Sequence, residues 1–226
     1  MNKQEPDFSR RRILGMAIGF GGLAISGTNG TALAQEAKRL ITWPLPLGPF
    51  YPLMKPLDQD ADLTTIAGKS GRAEGKVIHL MGRVMNLKGE PVSGAKVEIW
   101  QTDSKGRYAH PSDPNPVPPD PNFQGFSAQF TDADGRYRFK TVKPAAYPGL
   151  LVGMRTPHIH FDVSGKIDRV VTQMFFPNEP LNAQDATLGR LNAAYKEAAT
   201  AKILPPTKDL EADSVVAVWD IVLLKG

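Results

Sequence analysis

The stretch Pro157-His158-Ile159-His160-Phe161-Asp162-Val163 alternates between two kinds of side chain. In a β-strand, successive side chains point to opposite faces of the sheet, so the three apolar residues would share a face that can enter a core. His158 and His160 would lie side by side on the other face, where neutral imidazoles can bind a metal. Two exposed or hydrogen-bonded histidines would fit these seven residues equally well, so the rest of the chain has to decide.

Short runs of this kind recur along the chain, separated by turn signals such as Lys88-Gly89-Glu90-Pro91. This spacing predicts an all-β fold, an antiparallel β-sandwich. One short helix is expected over residues 183–199, where apolar residues recur at helical spacing. The six prolines within residues 110–123 predict a long ordered loop, and loops of that length are often functional. The predicted strands are residues 77–84, 95–100, 137–142, 158–163, 169–176 and 215–224.

The composition limits the kind of site that these 226 residues can build. The chain has no cysteine, so any metal must be held by nitrogen and oxygen, and a disulfide framework is excluded. The formal net charge is only +4, and no basic block is interleaved with aromatic residues. Nucleic acid is therefore not expected as a partner. The length suits one substantial domain.

The first 34 residues have the layout of a bacterial signal peptide. Ser9-Arg10-Arg11-Arg12 precedes an apolar, glycine-rich run over residues 15–26, and Ala32-Leu33-Ala34 is a small-x-small cleavage pattern. The paired arginines resemble the twin-arginine type. The apolar run is short for a membrane span, so we expect cleavage after Ala34, a periplasmic or secreted protein and no stable membrane anchor. Proline-rich residues 35–76 predict an extended N-terminal arm, followed by the sandwich over 77–226.

Asp162 is the first candidate for a third ligand beside the two histidines. A two-histidine, one-carboxylate site suits ferrous iron, but at about 3.3 Å per residue the Cα atoms of residues 158 and 162 would lie roughly 13 Å apart. Further ligands should therefore come from other strands or loops. His79 lies in an apolar strand and is expected to be a packed residue, whereas His110 opens the proline-rich loop and could line a site.

Tyrosine is another oxygen donor, since a hard trivalent cation deprotonates a phenol and holds it as an anionic ligand. Tyr108 and Tyr147 lie at the ends of loops. Tyr137 and Tyr195 have simpler explanations as packed residues of a strand and a helix. The residues alone do not rank tyrosine above aspartate as a ligand.

A series of short motifs occurs in order from about residue 45 to the C-terminus. They are Gly48-Pro49-Phe50-Tyr51-Pro52, Glu98-Ile99-Trp100-Gln101, Gly106-Arg107-Tyr108, Asn122-Phe123-Gln124-Gly125-Phe126, Thr131-Asp132, Asp134-Gly135-Arg136-Tyr137-Arg138-Phe139, Lys143-Pro144, Tyr147-Pro148, Pro157-His158-Ile159-His160-Phe161 and Thr172-Gln173-Met174-Phe175-Phe176-Pro177. Taken together, they resemble the intradiol ring-cleavage dioxygenases, and among these the iron-binding type of protocatechuate 3,4-dioxygenase subunit.

The resemblance implies a non-haem Fe(III) site, with Tyr108 and His158 as equatorial ligands and Tyr147 and His160 as axial ones. It further implies a catechol-type substrate and O2, ring cleavage between the two hydroxylated carbons, and a cis,cis-muconate-type diacid product. The leaving Tyr147 would take up a substrate proton. Arg155 matches an arginine next to the substrate ring, and Gln173 is a candidate for a nearby contact. A homo- or hetero-oligomer is possible on the same grounds.

The chain departs from the pattern at Gly149, where protocatechuate enzymes often have tryptophan, and at Ala145-Ala146 in place of glycine-proline. A wider pocket or a different catechol would fit these changes.

Two other functions remain open. One is a non-catalytic β-sandwich that binds a ligand, and the other is a zinc or copper site that uses only the two histidines.

Overall fold

The computed structural model describes residues 39–150 and 152–226, so the predicted signal peptide lies outside the described residues. The described part contains eleven β-strands, two short α-helices and one 3-10 helix. The strands are β1 (Val77–Asn86), β2 (Lys96–Trp100), β3 (Phe126–Phe130), β4 (Arg136–Val142), β5 (Tyr147–Gly149), β6 (Gly153–Arg155), β7 (His158–Ser164), β8 (Arg169–Phe175), β9 (Lys202–Leu204), β10 (Val215–Val218) and β11 (Ile221–Leu223). The helical segments are the 3-10 helix Pro180–Ala183, α1 (Ala186–Gly189) and α2 (Ala193–Ala198).

Two sheets pack face to face, which confirms the predicted β-sandwich. In the first sheet, β1 is antiparallel to β4 on one side. On its other side β1 runs parallel first to β10 and then to β11, and β9 extends the sheet beyond β10. The second sheet has the order β3-β2-β7-β8, with every pair antiparallel. β5 and β6 form a separate hairpin.

β7 shows how alternation in the sequence builds the core. Ile159, Phe161 and Val163 have no exposed surface and pack between the two sheets. Burial of each such side chain contributes about 1.5–3 kcal/mol of transfer free energy. His158 and His160 occupy the opposite face of the second sheet, as the alternation predicts.

The prediction of one helix over residues 183–199 is wrong, because two polar side chains start new helices inside that range. The carboxylate of Asp185 accepts hydrogen bonds from the N–H groups at the start of α1, and the Asn192 side chain does the same for α2. A side chain that caps a helix start requires non-helical backbone at its own position, so each cap interrupts the helical run. No helix within the described ranges is long and apolar enough to cross a membrane.

The sheets also differ from the predicted pattern in two respects. The expected strand 215–224 is two strands, β10 and β11, and both run parallel to β1, so the sandwich is not antiparallel throughout. Four strands were not predicted, namely β3, β5, β6 and β9. Three of these have only three residues, which is too short for a two-residue period to be recognised.

Residues 39–76 contain no helix and no strand of more than one residue. This arm first follows the edge strand β8, where the Leu45 N–H donates to the Val171 carbonyl at 2.9 Å and the Thr172 hydroxyl donates to the Trp43 carbonyl at 2.9 Å. It then continues to Phe50, whose ring packs against Tyr108. The arm therefore covers the face of the second sheet that carries the two histidines.

Candidate metal centre

Four side chains that can bind a metal meet on the outer face of β7. The centroid distances are 4.8 Å for His158 and His160, 5.1 Å for Tyr108 and Tyr147, and 5.6 Å for Tyr147 and His158. None of the four residues is more than 4% exposed. The structure thus brings together all four residues that the sequence analysis named as ligands, and metal binding by them stays a prediction.

The two histidines direct their Nε2 atoms at one another, 3.2 Å apart. His158 Nδ1 donates to the carbonyl oxygen of Thr156 at 2.6 Å, so in the neutral ring Nε2 carries the lone pair. A hydrogen bond from the ring nitrogen that does not bind the metal commonly fixes the tautomer of a metal-binding histidine. His160 Nδ1 is buried and has no hydrogen-bond partner among the described residues.

The His160 ring is contacted by an indole and by the backbone of the arm. The Trp100 ring stacks on it with centroids 4.8 Å apart and planes 10° from parallel. Gly48 has φ +79°, and a Cβ built on it would lie 3.1 Å from His160 Cε1. A residue at this φ that approaches so closely is best a glycine. Gly48 therefore lets the arm pass directly over the imidazole.

Tyr108 is placed by the long loop that follows β2. Its N–H donates to Asp113 Oδ2 at 2.7 Å. The turn before it is made by Gly106 at φ +79°, where a Cβ would meet the Ala146 carbonyl oxygen at 2.5 Å. Only glycine permits this approach without a shift of the backbone. The close contact holds the Tyr108 loop against the segment that leads into Tyr147.

Tyr147 lies directly opposite Arg155 in the β5–β6 hairpin. Gly149 follows two residues later on the same face. A Cβ at Gly149 would lie 2.8 Å from Val152 Cγ2 and 3.1 Å from Arg155 Cγ. A larger side chain there would have to displace Val152 or Arg155, so residue 149 helps to define the space around Arg155.

Burial determines the protonation of the four groups. It raises the pKa of Tyr108 well above its usual value, and the neighbouring Tyr147 phenol adds to this effect. It also raises the pKa of Tyr147, against the opposing charge of Arg155. Burial, followed by Arg155, lowers the pKa of His158 to about 3, while burial and His158 lower the pKa of His160 well below its usual value. Without a metal, all four groups are therefore uncharged at neutral pH.

These groups suit a ferric ion. The Tyr108 hydroxyl is buried without a hydrogen-bond partner in the described part of the chain, so one phenol oxygen is left for a ligand. A hard trivalent cation would convert both phenols to anionic ligands and accept the two neutral imidazoles. Residues 39–150 and 152–226 contain no cluster of three or more His, Asp or Glu side chains that could hold a metal. The two tyrosines and two histidines are therefore the candidate donor set within the described residues.

Arg155 is 5% exposed and is held by two side chains. Its Nε donates to Asp185 Oδ2 at 2.8 Å, and its Nη2 donates to Gln173 Oε1 at 2.6 Å. Gln173 in turn donates to the Pro46 carbonyl at 2.8 Å and pairs with His160 across the β7–β8 ladder. The sequence analysis did not identify Asp185. Its only signal there is an aspartate before Ala-Thr-Leu, which is typical of a helix start.

Asp162 and His79 are paired with side chains other than the four rings. Asp162 accepts a hydrogen bond from Arg169 Nε at 2.7 Å, so it is not a companion of the histidines, as strand spacing predicts. His79 is buried with its Nε2 atom 2.7 Å from Glu211 Oε2, which confirms a packed histidine. His110 is also buried, and its ring lies 5.7 Å from Phe50.

The sequence is similar to those of known proteins. A family model described as Dioxygenase matches residues 47–225. The protocatechuate 3,4-dioxygenase beta chain of Burkholderia cepacia is 47% identical over 130 residues, which cover 56% of this chain and 55% of that protein. Hydroxyquinol 1,2-dioxygenase of Rhizobium sp. (strain MTP-10005) is 31% identical over 157 residues, 63% of this chain and 50% of that protein. The chain spans about half the length of these curated relatives.

The fold has been seen in solved structures as well. Hydroxyquinol 1,2-dioxygenase from Pseudomonas putida DLL-E4 aligns with a TM-score of 0.64 at 22% identity, covering 82% of this chain and 67% of that one. At this level of identity the likeness concerns the fold alone. It shows that the two chains share an overall fold.

Proposed function

This chain belongs to the intradiol ring-cleavage dioxygenase family, and on that premise we propose that it is an enzyme that opens a catechol-type aromatic ring with O2 at a non-haem Fe(III). The ring would break between its two hydroxylated carbons, and the product would be a cis,cis-muconate-type diacid. One observation carries the proposal, the meeting of two phenols and two neutral imidazoles on the outer face of β7.

Tyr108, Tyr147, His158 and His160 would hold the metal. A ferric ion bound there would draw electron density from a bound catecholate and so make its ring reactive toward O2. The residues of the protein contribute substrate binding, proton transfer and charge stabilisation.

Tyr147 is the group that we assign to proton transfer. Because burial raises the pKa of Tyr147, its phenolate oxygen is a strong base and can accept a proton from an incoming catechol hydroxyl. Tyr108, whose backbone is tied to Asp113, would remain in place. The two phenols thus have different roles although they belong to the same residue type.

Arg155 is assigned to charge stabilisation. Its guanidinium is fixed by Asp185 and Gln173, so its positive charge is already oriented before the substrate arrives. A preorganised cation stabilises negative charge that develops on the ring in the transition state without further reorganisation. Phe50 and Trp100 pack around Tyr108 and His160 and exclude water, which strengthens every charge interaction inside the site.

Iron loading and oxygen consumption test this function. Protein reconstituted with iron should be coloured by tyrosinate-to-iron charge transfer. It should consume O2 with at least one of catechol, protocatechuate and hydroxyquinol, and release a diacid that can be followed by its ultraviolet absorption. A protein that stays colourless after reconstitution, or that is coloured but consumes no O2 with any of the three, would exclude the proposal.

We also propose that the protein is exported through the twin-arginine pathway, on the basis of Ser9-Arg10-Arg11-Arg12 and the apolar run that follows. Replacing the three arginines by lysine keeps the positive charge but removes the arginine pair. Cell fractionation should then find the wild-type protein in the periplasm or medium and the lysine variant inside the cell. Equal export of both would contradict this route.

A further inference from the structure

The Asp185 carboxylate is fully buried and divides its two oxygens between two tasks. Oδ1 accepts hydrogen bonds from the N–H groups of Thr187 and Leu188, each at 2.9 Å, and so caps α1. Oδ2 accepts from Arg155 Nε at 2.8 Å and from the Thr156 N–H at 3.0 Å. One side chain therefore connects the start of a helix with the arginine and with the segment that leads into β7.

The Arg155 guanidinium is held from two sides. Asp185 binds its Nε, and Gln173 binds its Nη2 at 2.6 Å. Two hydrogen bonds to different nitrogens of a planar group fix the orientation of that plane. Gln173 is itself anchored to the Pro46 carbonyl of the arm, so the position of Arg155 depends on partners outside its own hairpin.

Asp185 also reaches His158 through one residue. The Thr156 N–H donates to Asp185 Oδ2, and the Thr156 carbonyl accepts the hydrogen bond from His158 Nδ1 at 2.6 Å. A shift of this peptide would turn the imidazole, because the carbonyl sets the orientation and tautomer of the ring. Asp185 Oδ2 thus contacts both the Arg155 guanidinium and the Thr156 peptide, whose carbonyl orients the His158 ring.

We propose that Asp185 is the positioning residue of this site, which holds the Arg155 guanidinium in its working orientation and steadies the Thr156 peptide behind His158. This inference rests on the proposed function, because that function defines which orientation of Arg155 is the working one. Its physical basis is that a buried guanidinium that loses its carboxylate partner is left with an uncompensated charge and moves to find another. Removing a side chain that holds such groups from behind typically lowers metal affinity or activity about 10- to 100-fold.

Asp185→Asn is the informative variant, because asparagine caps a helix about as well as aspartate does. It keeps the acceptor for α1 and removes the charge that faces Arg155. In iron-loaded protein, we expect the catechol kcat to fall about 10- to 100-fold, while the iron content remains that of the wild type. The anaerobic dissociation constant for catechol, read from the change in the tyrosinate-to-iron absorption, should rise.

A double-mutant cycle separates positioning from general damage. If Asp185 acts through Arg155, then Asp185→Asn should change the anaerobic catechol dissociation constant much less in an Arg155→Gln background than in the wild type. Equal changes in both backgrounds would overturn the proposal. Asn192→Ala is the matched control, since Asn192 caps α2 through the Tyr195 N–H at 3.0 Å. It should lower the unfolding temperature and leave the dissociation constant and kcat unchanged.

The cycle keeps this inference distinct from the proposed function. If iron-loaded wild-type protein consumes no O2 with any catechol, the proposed function fails, and the dissociation constants still decide whether Asp185 and Arg155 are coupled. If Asp185→Asn does not fold, Asp185→Ser provides another good helix cap without charge and takes its place in the cycle. Wild-type values of kcat and of the dissociation constant in a folded, iron-loaded Asp185→Asn or Asp185→Ser protein would also overturn the inference.

Discussion

The rings of Tyr108 and Tyr147 meet edge to face, with centroids 5.1 Å apart and an angle of 88° between their planes. One residue belongs to the loop after β2 and the other to β5. Their contact depends on the Gly106 turn, which allows the first loop to approach the Ala146 carbonyl. Because β7 by itself offers only two nitrogen ligands, this contact decides whether two anionic oxygens are also available to a metal.

Tyr108→Phe should abolish both the colour of the iron-loaded protein and its oxygen uptake, because it removes a buried oxygen donor that has no other partner among the described residues. Tyr137→Phe is the matched control. The Tyr137 hydroxyl is also buried but donates to the Trp219 carbonyl at 2.6 Å, so its loss should cost about 1 kcal/mol of stability and no colour. Iron binding by Tyr108→Phe with an unchanged absorption spectrum would contradict the assignment.

His160→Ala should reduce iron content to near zero, since it removes one of two Nε2 atoms that face each other at 3.2 Å. His79→Gln changes another buried histidine, which contacts Glu211 instead, and should retain iron. Iron per protein chain, measured by atomic absorption after reconstitution, distinguishes the two. If metal binding survived the loss of both tyrosines but not of the histidines, a zinc or copper site would replace the ferric one.

Iron binding should release two protons from the phenols. Burial raises the pKa of both Tyr108 and Tyr147, so both are protonated in the metal-free protein at pH 7 and must lose a proton to become anionic ligands. The imidazoles are already neutral because their pKa values are lowered, and they contribute none. Occupancy should therefore decrease as the pH falls.

Calorimetry of loading from one ferric chelate, in buffers of different ionisation enthalpy, measures this release. Tyr147→Phe, which keeps the other three donors, should release one proton fewer than the wild type. An unchanged proton count in Tyr147→Phe would mean that this phenol is not deprotonated on metal binding.

Gly48→Ala should disturb the metal centre in a way that Gly68→Ala does not. The two glycines have φ values of +79° and +81°, so alanine has a similar backbone cost at each, about 1–2 kcal/mol. They differ in surroundings, because a Cβ at Gly48 lies 3.1 Å from His160 Cε1 and one at Gly68 has nothing within 4 Å. We expect similar losses of stability but a shifted charge-transfer band only for Gly48→Ala. Identical spectra would show that the arm does not press on His160.

Glu98 should make stability depend on pH in acid. Burial would raise its pKa, but hydrogen bonds from Lys55, Lys96 and Tyr51 outweigh this and lower it from 4.5 to about 2. As the pH falls, the unfolded chain therefore takes up the proton first, so the stabilisation is complete above about pH 4.5 and is lost toward pH 2. Urea unfolding should show Glu98→Gln to be about 1–2 kcal/mol less stable at pH 7.

That difference should shrink as the pH is lowered toward the folded pKa. Glu197→Gln, on the exposed face of α2, should remain within about 0.5 kcal/mol of the wild type. A Glu98→Gln difference that stayed constant from pH 7 to pH 3 would show that the ion pairs around this carboxylate are not its source.

Local patterns identified five of the eleven strands as separate strands. The alternation in β7 predicts both its buried face and its histidine face, and the same reasoning identifies β1, β2, β4 and β8. It failed for β3, for the three-residue strands and for the helical region. In the helical region the reason is that hydrophobic periodicity does not register a cap such as Asp185 or Asn192 within an apolar run. Parallel pairing of β10 and β11 with β1 is a matter of topology and leaves no trace in the pattern of either strand.

The sequence by itself determined the sandwich, the face on which the histidines lie and, through its ordered motifs, the four candidate ligands. Only the tertiary structure decided that Tyr108 and Tyr147 meet beside β7, that Gly48 lets the arm cover His160, and that Asp185 holds Arg155. The physical reason is that strand alternation is a local property of covalent geometry. Contacts between distant segments depend on where loops cross, and loop positions follow from turns, caps and buried carboxylates that no periodicity records.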